Sequence, residues 1–156
     1  MMSERQRSGA VGLKIFECEE YEELEVPRPA IRVRIIDPIT NEILDLVASV
    51  DTGFAGYMLV PSELYDKVSS LELPASEFNT YVTVSGPVRM KGCKVYFEIC
   101  GLRFPGILET PLLGYSSILI GRRILNKVRI ALLGPERKLC FLKLDSSLLK
   151  KLLEQD

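Results

Sequence analysis

The chain has 156 residues, 47% of them hydrophobic and 26% charged, which fits one globular domain with a packed core rather than two domains or a disordered polymer. No apolar run of about 18 residues is present, and the first residues lack the apolar stretch and cleavage site of a secretion signal. The reading is therefore a soluble, cytoplasmic protein with no membrane contact. Twenty basic against twenty-one acidic side chains leave a net charge of -1, so no global field favours nucleic acid. Histidine is absent, which removes the imidazole base, the Ser-His-Asp and Cys-His arrangements and the commonest zinc ligand.

Residues 1–10 read as a loose polar tail, followed by a first strand over residues 11–16. Over residues 31–36, Ile31, Val33 and Ile35 alternate with Arg32 and Arg34, the period of a strand with one buried face. Asp37, Pro38 and Asn41 mark a turn, and residues 43–50 return as a hairpin partner ending in the near-continuous apolar run Val47-Ala48-Ser49-Val50. A short strand over 57–60 stops at Pro61, which opens a short helix. Further strands are expected over 81–85, 88–100 and 103–108, broken by Gly86-Pro87 and by Gly101. Strands over 117–120, 128–133 and 138–143 follow, with a helical turn near 122–126. At the end, Leu148, Leu149, Leu152 and Leu153 share one helix face opposite Lys150 and Lys151, a stripe read as packing rather than membrane attachment. Many short strands with turn residues between them argue a mostly-β closed or sandwich fold with little helix.

Charge is segregated along the chain. Six glutamates fall within residues 17–25, and nine Lys or Arg within 122–151. No phosphate-cradling glycine loop or interleaved aromatic series accompanies the basic stretch, so both are read as solvated faces and not as a nucleic-acid site. The four cysteines, Cys18, Cys93, Cys100 and Cys140, show no metal-type spacing and read as buried structural thiols, with a Cys93–Cys100 bridge as the alternative.

The informative segment is Val50-Asp51-Thr52-Gly53-Phe54-Ala55-Gly56, a carboxylate where an apolar strand breaks into a glycine-bearing loop. A carboxylate at such a place is costly unless it is hydrogen-bonded or used. Gly53 allows close backbone approach, and the Thr52 hydroxyl can bond backbone across a symmetric contact. Alone, Asp-Thr-Gly is also a common turn. Downstream, however, Ile118-Leu119-Ile120-Gly121-Arg122-Arg123-Ile124-Leu125 is a second apolar strand ending in glycine and leading into a helix.

With this pair of segments in this order, the chain resembles the retropepsin-like aspartic proteases, the retroviral enzymes and their single-domain microbial and archaeal relatives. Val50 to Pro61 resembles the microbial branch in particular. The resemblance implies a mostly β, closed barrel-like acid protease fold with short helices and a C-terminal helix. It covers residues 31–145, leaving residues 1–30 as an N-terminal extension and 146–156 as a terminal helix. It further implies that Asp51, Thr52 and Gly53 form the catalytic triplet. A hairpin over residues 81–91, with its tip near Ser85-Gly86-Pro87, corresponds to the flap, and Phe54, Ala55, Ser85 and Gly86 are the candidate substrate contacts. Retroviral enzymes carry an Asp two positions after the motif glycine that pairs with the arginine matching Arg122; here that position is Ala55.

This chemistry takes two carboxylates sharing one proton, one as general base toward water and one as acid toward the scissile carbonyl. Only Asp51 among the aspartates precedes Thr-Gly, so one chain holds half a site and a C2 homodimer acting on a peptide is implied, with no metal or cofactor. Two rivals stand beside this reading. One is a non-proteolytic dimerisation or peptide-binding module on the same fold. The other is phosphoryl transfer through Asp51 as nucleophile, which lacks a second acid two positions on and a phosphate loop.

Overall fold

A computed structural model describes residues 13–144 and 146–155; the tail expected over residues 1–10 and the side chain of Leu148 lie outside the described residues. The first strand, β1 (Leu13–Glu20), is exposed along almost its whole length. In β2 (Ala30–Ile36), Ile31, Val33 and Ile35 are buried and Arg32 and Arg34 exposed, as a period of two requires. The turn to β3 (Ile43–Val50) is held by the buried Asp37 carboxylate, which accepts the N–H groups of Ile39 (2.8 Å) and Thr40 (3.1 Å), while Asn41 takes a positive φ of 60°. After β4 (Met58–Leu59), Pro61 caps the one-turn helix α1 (Ser62–Tyr65).

Two long strands follow the short β5 (Asn79–Thr83), namely β6 (Gly86–Ile99) and β7 (Leu102–Pro111). β6 begins at Gly86, earlier than the expected break at Gly86-Pro87. The two-residue turn Val84-Ser85 makes Thr83 and Gly86 the closing pair. Val82 and Pro87 are then the non-hydrogen-bonded pair, so the missing N–H of Pro87 costs no ladder bond. Gly86 adopts φ 108°, which an L side chain rarely tolerates. Cys100 and Gly101, both at positive φ, turn β6 into β7. β8 (Leu119–Ile120), α2 (Arg122–Leu125), β9 (Ile130–Leu133), β10 (Lys138–Leu144) and α3 (Ser146–Leu153) complete the chain.

The larger sheet runs β2-β3-β8-β4-β7-β6-β5, and β2 also pairs with β6, so the order returns on itself around the core. Ile31, Val33, Ile35, Val95, Phe97, Ile99, Leu108 and Ile120 fill its interior, with Tyr65 of α1, Ile124 of α2 and Leu139 and Phe141 of β10 packed against them. The smaller sheet is β1-β10-β9. In it Cys18 lies directly opposite Cys140, and the two form a disulfide across 122 residues of chain. This corrects the expectation of four thiols and of a Cys93–Cys100 alternative: Cys93 and Cys100 are free, and the pairing follows from a cross-strand register that spacing along the chain does not reveal. The acidic segment is partly neutralised at this end, with Glu20 3.9 Å from Lys138 and Glu22 paired to Arg28 at 2.9 Å.

Candidate active site

β8 is the element that shapes the site. It lies between two strands, parallel to β3 (Ser49 beside Leu119, Val50 beside Ile120) and antiparallel to β4. The two motifs of the sequence therefore become neighbours in one sheet, and the loop of residues 51–57 crosses over the end of β8. The Asp51 N–H donates to the Ile120 carbonyl at 2.9 Å, which carries the ladder onto the aspartate itself. One carboxylate oxygen, Oδ1, accepts the Gly53 N–H at 2.9 Å, and the Asp51 carbonyl accepts the Phe54 N–H at 3.2 Å. Asp51 is half-buried, while Thr52 and Gly53 are exposed. Among the described residues the Thr52 hydroxyl has no hydrogen-bond partner.

The second motif clasps this loop from below. The first N–H groups of a helix have no partner inside it. Here three consecutive donors at the start of α2 are given to the loop: Gly121 to the Tyr57 carbonyl (2.8 Å), Arg122 to Phe54 (2.9 Å) and Arg123 to Gly56 (3.1 Å). Gly121 is required by this approach, because a Cβ there would lie 2.3 Å from the Gly56 carbonyl oxygen. Arg122 is exposed, and among the described residues it has no carboxylate partner, so the ion-pair role expected for it is not seen in the single chain. Arg123 instead sits over the Tyr57 ring, 5.7 Å from its centroid.

Residues 51–55 thus share one loop, and Ser85 and Gly86 lie apart from it at the tip of the β5–β6 hairpin. The stem of that hairpin reaches the loop through Phe54, which is 9% exposed and packs with Leu59 and Met90 under Tyr81 and Val88. Phe54 and Tyr81 meet edge to face at 5.1 Å. The Phe54 ring is therefore a packing element between loop and hairpin, while Ala55 is half-buried.

Beneath this contact lies a group that sequence reasoning passed over. Glu109 of β7 is 1% exposed and accepts the Tyr81 hydroxyl at 2.6 Å and the Asn79 side-chain amide at 3.2 Å. Burial pushes its carboxyl above the ordinary range, against the opposing pull of Tyr81, Asn79 and the Arg123 charge. The Tyr81 phenol is raised as well, by burial first and then by Glu109. An acid inside the apolar run Ile107-Leu108-Glu109 is the same signal that singled out Asp51, and it was available in the sequence.

The site is open rather than enclosed. A groove of about 810 Å³ lies elsewhere, lined by Glu17, Glu19, Arg32, Arg34, Glu98 and Arg103 among others, and includes none of residues 51–57. Among the described residues no group of three or more His, Cys, Asp or Glu is arranged to hold a metal ion, and no helix is long and apolar enough to cross a membrane.

No protein-family model matches the chain, and no curated protein matches it in sequence. Solved structures do match. A retropepsin-like aspartic protease from Rickettsia conorii aligns with a TM-score of 0.54 at 13% identity, over 84% of this chain and 92% of that one. An inhibitor-bound EIAV protease aligns with a TM-score of 0.48 at 19% identity, over 64% of this chain and 86% of that one. The fold is retropepsin-like: mostly β, with short helices and a C-terminal helix.

Proposed function

We propose that the protein is an aspartic endopeptidase that works as a homodimer, with Asp51 of each subunit supplying one carboxyl of a shared pair. The observation that carries this reading is the loop of residues 51–57, in which a half-buried Asp51 has one oxygen held by the Gly53 N–H while the strand-plus-helix motif after Ile118 fixes the loop from below. A carboxylate oriented by a backbone N–H in a loop fixed from below is preorganised to act on a substrate. In the dimer one Asp51 draws a proton from water as that water attacks the peptide carbonyl, and the other, protonated, donates to the carbonyl oxygen.

The rest of the reading follows from the same loop. The unpartnered Thr52 hydroxyl faces the subunit contact, and the openness of the site on a single protomer suits a cleft completed by a second copy. The substrate is an extended peptide held by main-chain hydrogen bonds. Ser85 and Gly86 of the hairpin tip and Ala55 of the loop make those contacts, with Phe54 setting the floor between them. The retropepsin-like unit takes in residues 31–145. The reaction uses no metal or cofactor.

The test is the variant Asp51→Asn, which keeps shape and removes the acid. It is expected to abolish cleavage of a peptide library between about pH 3 and 7, where carboxyl pairs titrate, while leaving melting temperature and the dimer measured by light scattering unchanged. Retained turnover in that variant, or an active monomer, refutes the assignment. A dimeric wild-type protein that cleaves nothing points to the binding module instead.

A further inference from the structure

Four segments meet at Glu109. Its strand neighbours are Leu59 on β4 and Gly92 on β6. Above it, a Cβ added to Gly56 would come within 2.7 Å of Glu109 Oε1, 2.8 Å of the Tyr81 hydroxyl and 2.5 Å of Phe54 Cζ. The absence of a side chain at Gly56 therefore lets the loop that carries Asp51 lie directly on the Glu109–Tyr81 hydrogen bond. From the hairpin, Tyr81 and Asn79 each donate to a different oxygen of the carboxyl. Immediately past Tyr81 the packing ends, with Val82 88% and Val84 110% exposed.

A buried carboxylate is tolerated where its oxygens are satisfied, and here the donors come from a different element than the acid. The β5–β6 ladder fixes the hairpin internally but says nothing about how it sits on the loop. The β6–β7 ladder from Met90 onward and the Leu112 N–H to Arg89 carbonyl bond (3.0 Å) anchor the hairpin to β7, and its contact with the loop adds the Phe54 cluster and these two bonds. We propose that Glu109 is a positioning residue that locks the base of the β5–β6 hairpin onto the loop carrying Asp51, leaving the tip beyond Tyr81 as the part that opens over a bound peptide. The open tip and its peptide rest on the protease reading; the lock itself does not.

Ionisation of Glu109 bears on the lock with a defined sign. The carboxylate accepts both donors, and the protonated acid donates to the Tyr81 hydroxyl oxygen while its other oxygen still accepts Asn79, so burial, the larger influence, makes the neutral acid the form favoured in the closed state. Burial raises this group, so the change falls above the range of ordinary carboxyls. The charged and titratable groups facing it are Tyr81 from β5 and Arg123 from α2. Tyr81, raised itself, stays neutral. Leu59, Gly92 and Gly56 bring no charge.

The experiment is hydrogen exchange on the full chain, wild type against Glu109→Gln, over a pH series corrected for intrinsic exchange. Expected is an acceleration of about tenfold at amides of residues 79–90 in the variant, the size of losing one hydrogen bond, with residues 30–36 unchanged. In wild type the hairpin protection falls as pH rises through the Glu109 titration, because the buried closed state favours the protonated acid, and that step is missing in Glu109→Gln. Where peptide cleavage is measurable, the variant raises KM about tenfold with a smaller change in kcat. Wild-type protection of the hairpin in a folded Glu109→Gln protein overturns the proposal, as does a uniform loss of protection, which would mark a merely structural acid. Should Glu109→Gln fail to fold, Tyr81→Phe removes one donor without disturbing the acid, and unchanged protection there overturns the proposal too. Absence of all cleavage by wild type would refute the protease reading and leave the exchange result standing.

Discussion

Gly121→Ala isolates the contact on which the site geometry depends. The backbone there, at φ -105° and ψ -178°, is extended and open to any residue, so the whole effect of the change is steric. The new methyl would lie 2.3 Å from the Gly56 carbonyl oxygen, 2.6 Å from Phe54 Cδ1 and 2.8 Å from the Phe54 carbonyl oxygen. Two of these three are backbone atoms of the loop that carries Asp51, so relief requires the loop to move by about 1 Å, toward ordinary van der Waals separation. That movement strains the bonds from Gly121, Arg122 and Arg123 to the loop carbonyls. Overpacking costs about 1–3 kcal/mol and each weakened hydrogen bond up to about 1 more, so about 3 kcal/mol is expected. For a chain of this size that lowers the melting temperature by roughly 6–12 °C. A displacement of about 1 Å at a catalytic group also costs about a hundredfold in kcat/KM. Thermal unfolding followed by circular dichroism gives the first quantity and peptide hydrolysis the second. Gly134→Ala is the control, because a Cβ there meets nothing within 4 Å. A Gly121→Ala protein melting with wild type would refute the argument that the second motif supports the aspartate loop by close backbone approach.

Other consequences are as direct. Removing the Cys18–Cys140 bridge, by reductant or by Cys18→Ser, is expected to cost about 2–5 kcal/mol, because β1 is otherwise held mainly by its ladder to β10; a melting temperature indifferent to reductant in wild type would contradict it. The buried Asp37 has burial working to raise its carboxyl, but the Ser70 hydroxyl and the N–H groups of Ile39, Thr40 and Ser70 outweigh it and hold the group below its usual value. With the folded value depressed, its contribution is complete above the unfolded aspartate range near about pH 4 and fades as pH falls through the lower folded value. Asp37→Asn should therefore melt lower than wild type at neutral pH, with the gap closing in acid; a gap that widens on acidification would reverse the sign. Burial lifts the Cys93 thiol to about 12, and burial followed by the Glu17 hydrogen bond does the same for Cys100. Both should resist alkylation at mildly alkaline pH in the folded protein, and rapid labelling of either by a thiol reagent would count against the structure around it.

Much of the architecture was legible because burial writes itself into local alternation. Ile31, Val33 and Ile35 face the core with Arg32 and Arg34 outside, and Asn41 takes the left-handed turn its side chain permits. Pro61 begins the helix where its lost N–H is harmless. The two motifs around Asp51 and Gly121 were visible as apolar strands ending in glycine. The hairpin was visible too, though its boundary was not: Pro87 reads as a break, yet it sits where the ladder needs no donor. Phe54 was an expected peptide contact, and its ring is engaged instead in the packing of the hairpin stem.

What the chain carried on its own was the set of strands, the turns between them and the presence of a single Asp-Thr-Gly, because each depends on residues within a few positions of one another. Only the folded arrangement decided that β8 enters between β3 and β4, that Cys18 faces Cys140 across 122 residues, and that Tyr81 and Asn79 of one strand satisfy Glu109 of another. These are matters of register and approach between distant segments, and their energies come from contacts that exist after the sheets have closed.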